Sequence, residues 1–165
     1  MRFGLIGRAA IAAVVVLALH FTSMPLRAQF TPAATASTSS IPDSNLLKPE
    51  ALVQMLQATG GEKPLILQVG SQKFFGFGHI TGSEYVGPGS QPAGLQQLQN
   101  RVSSLPRKKL IVLYCGCCPW NHCPNLGPAF AKLREMGFTN VKVLYLPNNF
   151  GTDWSFKGYP STRGN

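Results

Sequence analysis

Outside one stretch of ten residues this sequence has no cysteine: all four lie in YCGCCPWNHC, Tyr114 to Cys123. Structural zinc sites usually pair two CxxC knuckles far apart in the chain, and there is no second knuckle here. Acidic residues are scarce, 6 against 15 Lys and Arg, for a formal charge of +9. Yet the basic residues form no tract. Only Arg107, Lys108 and Lys109 cluster, directly before an apolar run, so they mark a solvated lead into a strand and no nucleic-acid partner is expected. Long apolar runs are missing as well: Ala9–Leu19 is broken by His20 and falls short of the about 20 residues that a spanning helix needs. There is no cysteine near the end of that run, which excludes a lipoprotein anchor, and Arg8 stands alone between Gly7 and Ala9, which gives a twin-arginine route no support. No internal repeat is visible. What remains is a chain of 165 residues, 44% hydrophobic, enough for one domain with one core and too apolar to be disordered.

The N-terminus reads as an address. Arg2 and Arg8 precede the apolar run, so residues 1–28 are expected to be a signal peptide cleaved after Ala28. The mature protein is then exported, periplasmic or secreted, with no membrane contact once the signal is removed. Leu26, three residues before the cut, is larger than the residue preferred there, so the alternative is retention as an uncleaved membrane anchor. Residues 29–45, QFTPAATASTSSIPDSN, have no apolar period and are expected to be a flexible linker. The folded domain is expected over 46–165.

Within it, helix and strand patterns alternate. LLKPEALVQMLQATGG has apolar residues at helical spacing, Pro49 in the first turn and Gly60-Gly61 at the end. PLILQV has strand length, and GFGHITGSEYV reads as a glycine-punctuated loop leading to a short strand at Tyr85-Val86. PAGLQQLQNRVSSL predicts a second helix, and KLIVLY a central strand covered on both faces. LGPAFAKLREMGF predicts a third helix closed by Gly137, VKVLYL another strand, and Asp153-Trp154 the start of a last short helix. The alternation predicts an α/β fold with a mainly parallel central sheet flanked by helices. Cys115 then stands at the carboxyl end of the central strand and before a helix, where ligands bind in open parallel sheets and where unpaired N–H groups favour a thiolate.

The order of these pieces resembles the rhodanese family over about residues 46–160. The resemblance rests on the opening helix and strand, on GHITGS at 78–83, on KLIVLYC, on AKLREMGFTNVKVL and on FKGYP at 156–160. It implies a single rhodanese-like domain and a sulfurtransferase, similar to the thiosulfate sulfurtransferases, in which a cysteine carries sulfane sulfur as a persulfide. By strand register Cys115 takes the nucleophile's place. The partners implied are a small sulfur-containing donor and a thiol acceptor, with no cofactor. This sequence departs from the family in three ways. Gln68 and Gly70 replace an acidic residue and an arginine after the first core strand. No arginine occurs in the cysteine loop, which leaves the sulfonate of thiosulfate without a partner there. The loop itself is longer and holds three further cysteines.

Those cysteines keep other readings open. Cys117, Cys118 and Cys123 are candidate resolving or redox partners of Cys115, with Cys115–Cys118 or Cys118–Cys123 as the expected oxidised pairs, and the same fold could then exchange thiols and disulfides. His122 and Trp120 are candidate supports of the loop. A metal module is a third reading, in which Cys115, Cys117, Cys118, Cys123 and His122 hold zinc or copper(I), the local spacing suiting copper(I) better. The fourth is a non-catalytic rhodanese-like module. His79, in the GHI triplet, is expected to hold its turn by bonding loop backbone.

Overall fold

The computed structural model describes residues 41–164; the expected signal peptide and residues 29–40 lie outside the described residues. The elements run β1 (Leu46–Leu47), α1 (Pro49–Gln57), β2 (Leu65–Gln68), α2 (Gln72–Phe77), β3 (His79–Ile80), β4 (Glu84–Tyr85), α3 (Pro92–Val102), β5 (Ile111–Tyr114), α4 (Leu126–Glu135), β6 (Val141–Leu144), α5 (Phe150–Asp153) and β7 (Ser161–Thr162). Five strands form one sheet in the order β1-β6-β5-β2-β4, and every pairing in it is parallel. The expected α/β architecture is therefore present, with β5 at its centre. β3 and β7 form a separate antiparallel pair.

The side-chain period of a strand explains the two layers. Ile111 and Leu113 of β5 point to one face and join Leu98 and Val102 of α3 and Leu126, Ala129, Phe130 and Leu133 of α4. Val112 and Tyr114 point to the other and join Leu52 of α1, Ile66, Ile80, Leu144 and Trp154. All four residues of β5 are buried, as a strand covered on both faces requires. Two of the helices start where proline suits a first turn, Pro49 and Pro92. α4 is closed just beyond its C-cap Met136 by Gly137, whose φ of 85° is left-handed, with Phe138 N donating to Leu133 O at 3.0 Å across the last turn. Among the described residues no helix is long and apolar enough to cross a membrane.

Three details differ from the periodicity. The last five residues of the expected linker take part in the fold: Ile41 is buried in the core and Asn45 Nδ2 donates to Val141 O at 2.8 Å. α2 runs into the start of the stretch read as a loop, at Gly76-Phe77, and its six residues are too few to show a helical face. The last α-helix ends at Asp153, where the sequence suggested a start, and a short 3₁₀ turn, Ser155–Lys157, follows it. Asn149 Oδ1 caps the helix by accepting from Thr152 N at 2.9 Å, and the buried Asp153 carboxylate reaches back to Asn148 N and Asn149 N at 2.6 and 3.0 Å.

Candidate functional site

β5 leaves the sheet beside β2, the last rung being Val69 N to Tyr114 O at 2.9 Å. Cys115 continues the alternation of Ile111 and Leu113, so its sulfur turns toward the α3/α4 layer, where it is 2% exposed. Gly116 then takes a φ of 80°, and its carbonyl accepts from Phe150 N at 3.0 Å; a side chain there would have its Cβ 2.9 Å from that of Phe150. This turn carries the chain off the sheet into the cysteine loop.

The Cys115 sulfur is held on several sides. Asn125 is the residue before α4, yet its side chain does not cap that helix. Its amide Nδ2 donates to Cys115 Sγ at 3.4 Å, and its Oδ1 accepts from the N–H and hydroxyl of Ser90 at 3.0 and 2.8 Å. The amide is thus oriented from behind, and the sulfur lies beside the side chain of the residue that precedes α4. Gln68 donates Nε2 to Cys115 O at 3.0 Å and accepts from Gly70 N at 3.1 Å. Gly70 has no room for a side chain: a Cβ there would lie 2.9 Å from Cys115 Sγ. The two positions that depart from the family pattern are therefore fitted to this cysteine.

The other three cysteines converge on it. The sulfurs of Cys115, Cys117, Cys118 and Cys123 all lie within 4.8 Å of one another. Cys115 and Cys117 are 3.1 Å apart, Cys117 and Cys118 3.3 Å. All four are free thiols, so neither oxidised pair expected from the sequence is formed; the contacts of 3.1 and 3.3 Å both involve Cys117 and exceed the ~2.0 Å of an S–S bond. Cys123 is as buried as Cys115, whereas Cys117 and Cys118 are half-buried.

Charge in such a cluster settles on one sulfur and is excluded from its neighbours. Hydrogen bonds from Cys115 and then Cys123 hold Cys117 far below the usual thiol range. Cys115 is raised, first by its bond to Cys117, and Cys118 is pushed up to about 12, mainly by burial. Cys123 is raised by its bonds to Cys115 and Cys117. The sequence pointed to a lowered pKa at Cys115; proximity gives that place to Cys117, which sits among three S–H groups.

Cys115 and Cys117 open on a pocket of about 320 Å³, walled by Phe74, Phe77 and Phe150 and lined also by Gln68, Asn149 and Arg163. The guanidinium comes from the C-terminal segment beside β7, not from the cysteine loop. Cys118, Cys123, His122 and Trp120 do not line this pocket. Trp120 packs against the core and its ring lies 5.9 Å from that of Tyr145. His122 is exposed, with Nδ1 2.9 Å from Asn121 Oδ1. His79 bonds backbone as its triplet suggested, but that of α2 and not of a loop: Nδ1 is 3.0 Å from Phe75 O and its ring stacks on Phe75 at 3.9 Å. Asn125, Ser90 and Arg163 escaped the sequence reading. Only Asn125 had a local signal, a polar residue before a helix, and it would have pointed to capping.

The family model for the rhodanese-like domain matches residues 48–145. Among solved structures, a crystal structure of the Alr3790 protein from Anabaena sp. is 24% identical with a TM-score of 0.53, covering 71% of this chain and 91% of that one. The BH2092 protein from Bacillus halodurans is 20% identical with a TM-score of 0.54, covering 73% and 77%. Wild-type EanB is 25% identical with a TM-score of 0.52, covering 72% of this chain and 27% of the much longer EanB. A single-residue variant of EanB has also been described with a cysteine persulfide, in a tetrahedral intermediate state with ergothioneine. Comparison with curated proteins gives no match.

Proposed function

The chain belongs to the rhodanese-like domain family, and from that premise we propose that it is a sulfurtransferase or persulfide carrier with Cys115 as the sulfur-accepting nucleophile. The family and the cysteine cluster support a role in sulfur transfer or persulfide chemistry in general. The observation that carries the finer reading is the placing of one sulfur. Cys115 ends the central parallel strand and lines a pocket, and its sulfur fills the space that Gly70 leaves open, 3.1 Å from that of Cys117.

The step balances without a cofactor. Cys115 releases its proton to solvent as its sulfur attacks the outer sulfur of a donor R–S–SH. The donor's S–S bond breaks, its electron pair leaves with R–S, which takes up a proton, and Cys115 remains as the persulfide. A thiol acceptor reverses the chemistry. Arg163 supplies the pocket with a cation that the loop lacks, and the phenylalanine rings suit an apolar body, so the donor class is a small sulfur compound bearing negative charge. The proposed setting is outside the cytoplasm, on the charge and apolar pattern of residues 1–28; N-terminal sequencing of the mature protein tests it, and an uncleaved Met1 would point to the anchor instead.

Incubation of the reduced protein with a sulfane-sulfur donor, followed by intact mass measurement, tests the chemistry. The wild type is expected to gain one sulfur atom and Cys115→Ser none, while Cys123→Ser keeps at least part of the gain. Undiminished uptake by Cys115→Ser would refute the assignment.

A further inference from the structure

We propose that Cys115, Cys117, Cys118 and Cys123 also form a mononuclear site for a thiophilic d¹⁰ ion, zinc(II) or copper(I). The proposal stands on the geometry of the four sulfurs and does not depend on the sulfur-carrier reading. A tetrahedral zinc with sulfurs at ~2.3 Å sets those sulfurs ~3.8 Å apart. Here the two close contacts are 3.1 and 3.3 Å and no pair exceeds 4.8 Å. Changes of up to about 1 Å in the sulfur–sulfur distances, within reach of side-chain rotation, convert this arrangement into a first coordination shell.

Other ions fit less well. The thiolates of an iron–sulfur cluster bind different irons and must stand further apart than these. Magnesium and calcium need oxygen donors, and no carboxylate joins the group. His122, a fifth donor in the sequence reading, is exposed and faces Asn121, so the set is sulfur alone.

The surroundings resemble an outer coordination shell. Asn125 Nδ2 donates to Cys115 Sγ, its backbone N–H donates toward Cys123, and Ser90 fixes the Asn125 carboxamide. Such N–H···S bonds spread the negative charge of a thiolate set. Cys115 and Cys123 close the inner side, and the half-buried Cys117 and Cys118 face the outside, giving an ion its way in. An ion bound there occupies the sulfur that the preceding proposal makes the nucleophile, so metal and persulfide exclude one another.

The test uses the full chain, reduced and metal-free, titrated separately with zinc(II) and, without oxygen, with copper(I). Native mass spectrometry is expected to show one ion per chain with at least one of the two, and chelator competition ranks them. Cobalt(II), standing in for zinc, should give strong sulfur-to-metal charge-transfer absorption. Cys118→Ser and Cys123→Ser should each weaken binding more than Asn125→Ala, which is expected to cost about 10–100-fold as an outer partner. His122→Ala should leave binding unchanged. Because Cys123 is buried, Cys118→Ser is the variant that decides if Cys123→Ser fails to fold. Retention of neither ion, more than one ion per chain, full binding by Cys118→Ser, or loss of binding in His122→Ala would each overturn the four-sulfur site. None of these outcomes requires sulfur-transfer activity, so the site can fail while the nucleophile assignment stands, and the reverse.

Discussion

At its start the central strand is preceded by Arg107, Lys108 and Lys109; at its exit it runs into Cys115 and three further cysteines. The two ends share a strand and a buried core between them, yet they differ in what holds them. At the start, Lys109 pairs with the exposed Glu62 and donates to Lys63 O at 3.0 Å, while the Arg107 guanidinium lies 4.6 Å from the centre of the Phe138 ring. These are surface contacts, each of small energy and in reach of water. At the exit, a buried sulfur meets an oriented carboxamide, a glycine that cannot be enlarged and three more thiols. Groups that water can satisfy tolerate change. Groups packed around a polarizable sulfur have few substitutes, and chemistry is expected where that constraint is found.

Substitutions at the two ends sharpen this contrast. Cys115→Ser should abolish sulfur uptake, the largest effect. Next comes Gly70→Ala, whose Cβ would overlap the Cys115 sulfur; overpacking of this kind costs about 1–3 kcal/mol, so thermal unfolding should drop and uptake should slow as the sulfur is displaced. An unaltered uptake rate would mean that the space beside Gly70 is immaterial. Tyr114→Phe tests the alternation of β5. Its hydroxyl accepts from Ile80 N at 3.2 Å and meets Ser83 Oγ at 2.9 Å on the face opposite Cys115, and burial pushes its pKa up to about 12. Losing it leaves a buried N–H without its partner, at about 1–3 kcal/mol in chemical denaturation, while sulfur uptake stays. Arg163→Gln should raise the thiosulfate concentration needed for half-loading about tenfold, or ~1.4 kcal/mol. Smallest of all, Lys109→Ala should cost under about 1 kcal/mol, less still at high salt, and leave uptake untouched.

Much of this was legible in the chain. KLIVLY could be read as a central strand because its residues are apolar on both parities, and both faces of β5 are indeed buried. Helical spacing located α1, α3 and α4. The β3–β7 ladder was not legible, since each strand has two residues and His79 pairs with Thr162 across half the chain. The site divides in the same way. Its cysteines announce themselves by density. Their supports do not: Gln68 meets the Cys115 carbonyl across 47 residues, and Arg163 reaches the pocket from the far terminus. Sequence spacing also grouped His122 with the thiols, but the short 3₁₀ turn Trp120–His122 leaves it exposed while Cys123 returns to the core. Which sulfur carries the charge depends on contacts of 3.1 and 3.3 Å that no spacing specifies.

The most direct test of the nucleophile is to locate the sulfur. Reduced protein loaded with a sulfane donor, blocked with an alkylating agent and digested without reductant, should show the added sulfur on Cys115 in peptide mass spectra. Loading first seen on Cys117 or Cys118, with Cys115 alkylated as a plain thiol, would contradict the account.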